Sequence, residues 1–315
     1  MFRTRLHVAS LDIDFAARGP FEPERFRHRF GPYERNTARE PGPGAPADRS
    51  AASLAPGAPA GSDDVLAPAQ NSLASLALRL WVEPFGTQLG PADVPYPGVK
   101  AYVTPSGVKL LREGLSMWLA FEGPSEAFAR GPQRLPPPPH EEDAGPADTP
   151  LRILTSHALL RRGAGALVHA SGVVHRGRGI LLIGPSGSGK TTCAQLAQPG
   201  SVLSDDQVAL LATPAGLALA STPFVGLYGR VIAPTRVPLG ALVALDRTHP
   251  GRLERLDRTR ALGLLLGCLP LYTRTAETAA AALGLAERLV RETPLWRGAP
   301  RLDAPLEAWL EGLEG

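Results

Sequence analysis

The stretch GILLIGPSGSGKTTCAQLA, Gly179 to Ala197, constrains the fold of this chain more than any other. A continuous apolar run enters a glycine-rich loop, and a helix-forming segment leaves it. Within it GPSGSGKT, residues 184–191, matches the pattern G-x-x-x-x-G-K-[S/T] in full. That context predicts a buried strand, a phosphate-cradling loop and a helix, and so an α/β domain. Gly184, Gly187 and Gly189 allow backbone angles that turn successive N–H groups toward an anion, with Pro185, Ser186 and Ser188 completing the loop. Lys190 then reaches the terminal phosphates of a nucleotide, Thr191 offers its hydroxyl to Mg²⁺, and Thr192 completes the ATP-binding set. The lysine is informative in itself. The chain has 33 Lys+Arg, and only Lys100, Lys109 and Lys190 are lysine. A compact ammonium fits inside a tight loop where a forked guanidinium does not.

The next element is SVLSDDQVAL. Phosphoryl transfer needs an acid near the metal and often a base for the attacking hydroxyl. Asp205 and Asp206 end a predicted strand. In a parallel sheet that end lies on the same side as the phosphate loop. One carboxylate can then serve the metal while the other meets the acceptor. His169, in the apolar run LVHAS, reads by itself as a core histidine.

The rest of the chain sets the frame. It has 315 residues, 43% of them hydrophobic, which is enough for a substantial core. Its 34 Gly and 33 Pro place part of it outside packed structure. The formal charge of +3 is spread widely, and the basic runs at Arg25–Phe30 and Leu159–Gly163 are short, so no nucleic-acid partner is expected. The two cysteines, Cys193 and Cys268, have no metal-ligand spacing and read as buried apolar thiols of a reducing compartment. The N-terminus lacks a signal-peptide core. The most apolar run, Ala261–Tyr272, is far short of the roughly 20 residues that span a bilayer. A cytoplasmic protein without a membrane partner is expected.

Composition divides the chain. Residues 1–130 read as a small, mostly β N-terminal domain, with one or two strands in residues 3–16 and more from Leu73 onward. Residues 37–72 are Pro, Gly, Ala and Ser with few large apolar side chains, and are expected to be a disordered insertion. Residues 131–150 read as a Pro-rich linker. Residues 151–315 are the ATP-binding domain, with GALVHASGVV expected as a strand and the C-terminal third expected to be largely helical. Leu306, Trp309, Leu310 and Leu313 share one helical face and read as core.

Taken together, VHASGVVHRGRGILLIGPSGSGKTT followed by VLSDDQVAL resembles the catalytic domain of the HPr kinase/phosphorylase family, which is related in fold to ATP-dependent phosphoenolpyruvate carboxykinase. The resemblance is strong over roughly residues 160 to 212. It implies a P-loop kinase domain of that type, using ATP and Mg²⁺ to phosphorylate a serine hydroxyl of a peptide or small protein. It implies that Lys190 and Thr191 bind the phosphates and Mg²⁺, that Asp205 is the catalytic base, that Asp206 serves the metal, and that His169 lies against the aspartate and the phosphate. The family's best-known members are hexamers, which leaves room for a homo-oligomer here. The chain departs from HPr kinases proper at Ala220–Val231, which carries no acid where those enzymes have a Glu/Arg signature, and so resembles a divergent subgroup. A kinase of free serine or a similar small hydroxyl compound, and a catalytically weak nucleotide-binding regulator, are the alternative readings.

Overall fold

A computed structural model describes residues 1–19, 21, 23–35, 76–83, 100–112, 115–130, 147–198, 200–226, 233–273 and 275–314. The insertion at 37–72 and the first sixteen residues of the linker lie outside the described residues, as do Pro199 and Arg230.

The N-terminal part begins with β1 (Phe2–Val8) and β2 (Leu11–Arg18), an antiparallel pair, followed by α1 (Pro23–Phe30). Then come β3 (Leu76–Glu83), β4 (Lys100–Thr104), β5 (Gly107–Arg112), β6 (Leu115–Ala120) and β7 (Ser125–Arg130). They form one seven-stranded sheet in the order β1-β2-β3-β7-β6-β5-β4. Alternation selects its inner face: Leu6, Val8, Leu11, Ile13, Phe15 and Ala17 are buried, as are Leu115, Met117 and Leu119. The sequence reading missed α1, which stacks Phe26 on Phe15 at 4.9 Å and so closes this face.

Helix α2 (Asp148–Arg161) follows, starting within the stretch that composition assigned to the linker. It is not a boundary element. Leu151, Ile153, Leu154, Ala158 and Leu159 join the same core as the N-terminal sheet, together with Leu167, Ala209, Leu211 and Phe224 from beyond it. The N-terminal sheet and the second sheet thus share buried apolar surface.

The second sheet contains β8 (Gly165–His169), β9 (Ser171–His175) and β10 (Arg178–Ile183), then α3 (Lys190–Leu196), β11 (Val202–Ser204), β12 (Gln207–Thr213) and β13 (Gly216–Ala220). It continues with β14 (Arg236–Pro250), β15 (Leu253–Arg255), α4 (Arg258–Gly267), α5 (Ala276–Glu292), β16 (Leu295–Ala299) and α6 (Leu306–Leu310). The main order is β11-β9-β10-β14-β13-β12-β8, with β16 joining β14 to β15. This makes a mixed α/β architecture.

Three expectations differ from what is found. The run GALVHASGVV is two strands, because the chain breaks at Ala170: β8 pairs with β12, whereas β9 pairs with β10 and β11. The sheet is mixed rather than parallel, although β10 and β11 both run antiparallel to β9 and therefore end on the same side. The C-terminal third holds helices α4, α5 and α6 in the apolar segments expected to be helical, but also β14, the longest strand, which was not expected. Its Leu242 and Ala244 enter the core under α4 and α5, while Ala241, Val243 and Leu245 enter the core with α3 and α6. A strand buried on both faces carries no alternation to betray it. Strand β10 shows the same feature, with Leu181 and Ile183 on one side and Ile180 and Leu182 on the other. Leu306, Trp309 and Leu310 are buried, and Leu313 packs against them from a 3₁₀ turn that follows α6.

Candidate functional site

The loop between β10 and α3 turns on glycine. Gly187 and Gly189 have φ of +76° and +107°, in the left-handed region that side chains disfavour, although a Cβ at either would meet nothing within 4 Å. Backbone conformation, rather than crowding, therefore calls for glycine at both. The Ser188 N–H donates to the Pro185 carbonyl at 3.1 Å and closes the turn. Lys190 is 7% exposed, and its Nζ donates to the Gly184 and Pro185 carbonyls at 2.8 and 3.1 Å. Burial lowers its pKa, while the nearby Cys268 thiol and Asp206 carboxylate work in the other direction. Pro185, Ser186 and Gly187 are exposed, and Thr191 and Thr192 are half-buried at the start of α3. The Ser188 Oγ is buried with no hydrogen-bond partner among the described residues.

The acid pair lies in the turn between β11 and β12. Ser204 Oγ organises that turn, accepting from the Asp206 and Gln207 N–H groups at 3.3 and 3.2 Å and donating to the Phe224 carbonyl at 3.1 Å. The Thr222 hydroxyl donates to the Gln207 carbonyl. The Thr-Pro-Phe segment, residues 222–224, is thus the clamp that fixes the acids. The two acids then diverge. Asp205 is 3% exposed, and its Oδ1 accepts from the Gly226 N–H at 2.8 Å. Asp206 faces the other way. Its Oδ1 lies 3.9 Å from His169 Nε2, and its Oδ2 accepts from Arg152 Nη1.

His169 ends β8 opposite Gln207 in the ladder, which sets it beside Asp206. Its side chain is half-exposed. Its N–H donates to the Cys268 carbonyl at 2.7 Å, and the next N–H, of Ala170, donates to the Asp206 carbonyl at 3.0 Å. Burial lowers the His169 pKa most; Asp206 opposes this, and Lys190 and Arg152 add to it. His169, Asp206, Lys190 and Arg152 therefore lie within electrostatic reach of one another. Cys268, at the end of α4, adds to this group; burial raises the pKa of its thiol, while the Gly184 backbone and Lys190 work in the other direction.

Two of these residues escaped the sequence reading. Arg152 was one arginine among many, and its partner Asp148 stood in apparent linker. Their i, i+4 spacing was the available signal. Cys268 had no local motif. Arg236 lines a separate cavity of about 250 Å³ with His7, Tyr33, Ser221 and Thr235.

The residues fit a nucleotide phosphate and a hard cation. The loop turns on left-handed glycines, a buried lysine stands at its end, and the buried Ser188 hydroxyl lacks a partner. The Thr191 hydroxyl and a carboxylate are hard oxygen donors of the kind that hold Mg²⁺ alongside water and phosphate. No group of three or more His, Cys, Asp or Glu poised to bind a metal occurs among the described residues.

A family model described as SynChlorMet cassette protein ScmC matches residues 151–267, which take in α2 from Leu151 onward, the glycine loop, the acid pair and α4. The match covers less than half of the chain. No curated protein matches it. No helix among the described residues is long and apolar enough to cross a membrane.

Proposed function

We propose that this protein is an ATP-dependent phosphotransferase that moves a γ-phosphoryl group to a hydroxyl, the serine of a peptide or small protein being the acceptor class. One observation carries the reading. His169 and Asp206 are 3.9 Å apart, and both sit within the field of Lys190 at the end of the glycine loop.

In this reading the loop amides, with Lys190, Thr191 and Thr192, bind and orient the phosphates. Lys190 supplies a point charge to the oxygens that gain negative charge during transfer. Thr191 with one carboxylate would hold Mg²⁺, which when bound offsets phosphate charge. The acceptor O–H loses its proton to a carboxylate of the site acting as base, the new O–P bond forms, and the bond from the γ-phosphorus to the bridging oxygen breaks to leave ADP. The resemblance gives the proton to Asp205 and the metal to Asp206. The geometry supports a larger part for Asp206, because the carboxylate of Asp205 is buried and bound to the Gly226 N–H. Burial lowers the His169 pKa, which favours the neutral imidazole, and the ring can hydrogen-bond the acceptor beside Asp206.

A second reading, a nucleotide-gated regulator of low catalytic power, is favoured by one observation: one oxygen of Asp206 is already taken by Arg152. Incubation with Mg²⁺ and γ-labelled ATP, with peptides and small proteins as acceptors, separates the two. Label on a serine-containing acceptor, lost in Lys190→Ala, is the expected result. ATP binding without label on any acceptor would contradict the kinase and leave the regulator.

A further inference from the structure

Four side chains, Arg29 and Asp148 buried and Arg152 and Asp206 half-buried, form an alternating row of charge from α1 to the acid pair. Arg29 of α1 donates through Nη1 to Asp148 Oδ1 at 2.9 Å. Asp148 Oδ2 accepts from Arg152 Nε at 2.8 Å, one helical turn further along α2. Arg152 Nη1 donates to Asp206 Oδ2, and Asp206 Oδ1 faces His169. Arg29 is 3% exposed and Asp148 7%. Burial opposes the charge on Arg152, yet Asp148 and Asp206 outweigh it and raise its pKa. An apolar contact runs alongside: the Arg152 guanidinium stands over Phe224 at 5.2 Å, and Phe224 meets Phe30, the neighbour of Arg29, edge-on at 6.4 Å.

The row has a direction. A guanidinium is a planar fork whose nitrogens leave at fixed angles. Asp148 occupies Nε, so the plane of Arg152 is set before it meets Asp206. Arg29 in turn occupies the second oxygen of Asp148. We infer that Arg152 is a positioning residue, which fixes one oxygen of Asp206 so that the other faces His169, and that Arg29 of the N-terminal layer sets Arg152 through Asp148. The N-terminal layer then does more than cover the core, because it holds the acid of the site in register. This inference rests on the kinase reading for its catalytic consequence but not for the coupling itself.

The test has two arms on the full chain. In the first, ATP affinity and the release of γ-phosphate from Mg²⁺-ATP to water are compared in the wild type, Arg152→Lys and Arg152→Met. Lysine keeps the charge but cannot serve two carboxylates at fixed angles. Turnover should fall about 10- to 100-fold in both variants, with ATP affinity unchanged within about twofold, the cost expected of a misplaced group. Unchanged turnover in Arg152→Lys would overturn the positioning role. The second arm needs no ATP chemistry. Thermal unfolding is measured for Arg29→Met, Asp206→Asn and the double variant, with Arg152 present and with Arg152→Met. The two changes touch residues that share no contact, yet with Arg152 present their effects on Tm should miss additivity by about 2 °C or more, and with Arg152→Met they should add. Simple additivity in both backgrounds would overturn the row. A wild type that neither binds nor turns over ATP would sink the kinase reading, and the second arm would then decide the row alone.

Discussion

His169 Nε2 lies 3.9 Å from Asp206 Oδ1, and the other oxygen of that carboxylate accepts from Arg152. Asp206 is thus held from both sides, and it stands within the field of the buried lysine that ends the glycine loop. Asp205, its neighbour in sequence, is held elsewhere by Gly226. The two acids of the turn thus have different partners, and in the proposed function Asp206 is the one that serves the reaction.

In the proposed function Lys190 is the cation on which phosphate binding turns. Lys190→Ala is expected to lower transfer about 10²- to 10³-fold, the loss typical of removing one donor aimed at developing charge. Lys190→Arg should not restore it, because the space beside the Gly184 and Pro185 carbonyls suits an ammonium. Initial rates with labelled ATP check both. Full activity in Lys190→Arg would contradict the account.

Gly189 carries the strain of the loop. Its φ of +107° with open space around it means that Gly189→Ala meets no clash but forces an alanine into a left-handed conformation. The expected cost is about 1–2 kcal/mol, read as a fall of a few degrees in Tm, with weaker ATP binding. A Tm equal to that of the wild type would show that the loop relaxes without cost.

His157 gives the fold a pH dependence. It is 5% exposed and packs flat against Phe121 at 5.9 Å; burial, reinforced by Arg161, lowers its pKa to about 4. In the unfolded chain the imidazole takes its proton near 6.5. Between these values the unfolded state binds a proton that the folded state refuses, so stability is full above about pH 6.5 and is lost as pH falls toward 4. The size is about 3 kcal/mol. Urea unfolding of the wild type and His157→Gln across pH 4–7 checks this. The wild type should weaken toward acid, and the variant should lose this part of the slope. Equal slopes would refute the assignment.

What the sequence made legible was local. The glycine loop is contiguous, its backbone demands fall on named glycines, and the strand before it and helix after it follow directly. The acid pair was equally visible, and so was the division of the two acids between separate tasks, but not the partners that hold them, since those depend on Ser204, Thr222 and Phe224 folding over the turn. Arg152 was hidden because its meaning comes from Asp206, which is 54 residues away. The break at Ala170 was hidden because both halves of GALVHASGVV are apolar, and only the partner strands distinguish them. Strand β14 was missed for the same reason, being buried on both faces. Helix α1 was read as a short basic run because its arginines dominate the composition, although Phe26 and Phe30 form its buried face.

The central claim is that one acid of the pair serves the reaction from beside His169. The most direct test compares γ-phosphate transfer at saturating Mg²⁺-ATP for Asp206→Asn and Asp205→Asn. The account predicts that Asp206→Asn loses transfer about 10²-fold or more while still binding ATP. It predicts that Asp205→Asn, whose amide oxygen can still accept from the Gly226 N–H, keeps most of its transfer and loses only the charge assistance of that bond, about 1 kcal/mol of stability. Transfer abolished in Asp205→Asn and retained in Asp206→Asn would contradict it.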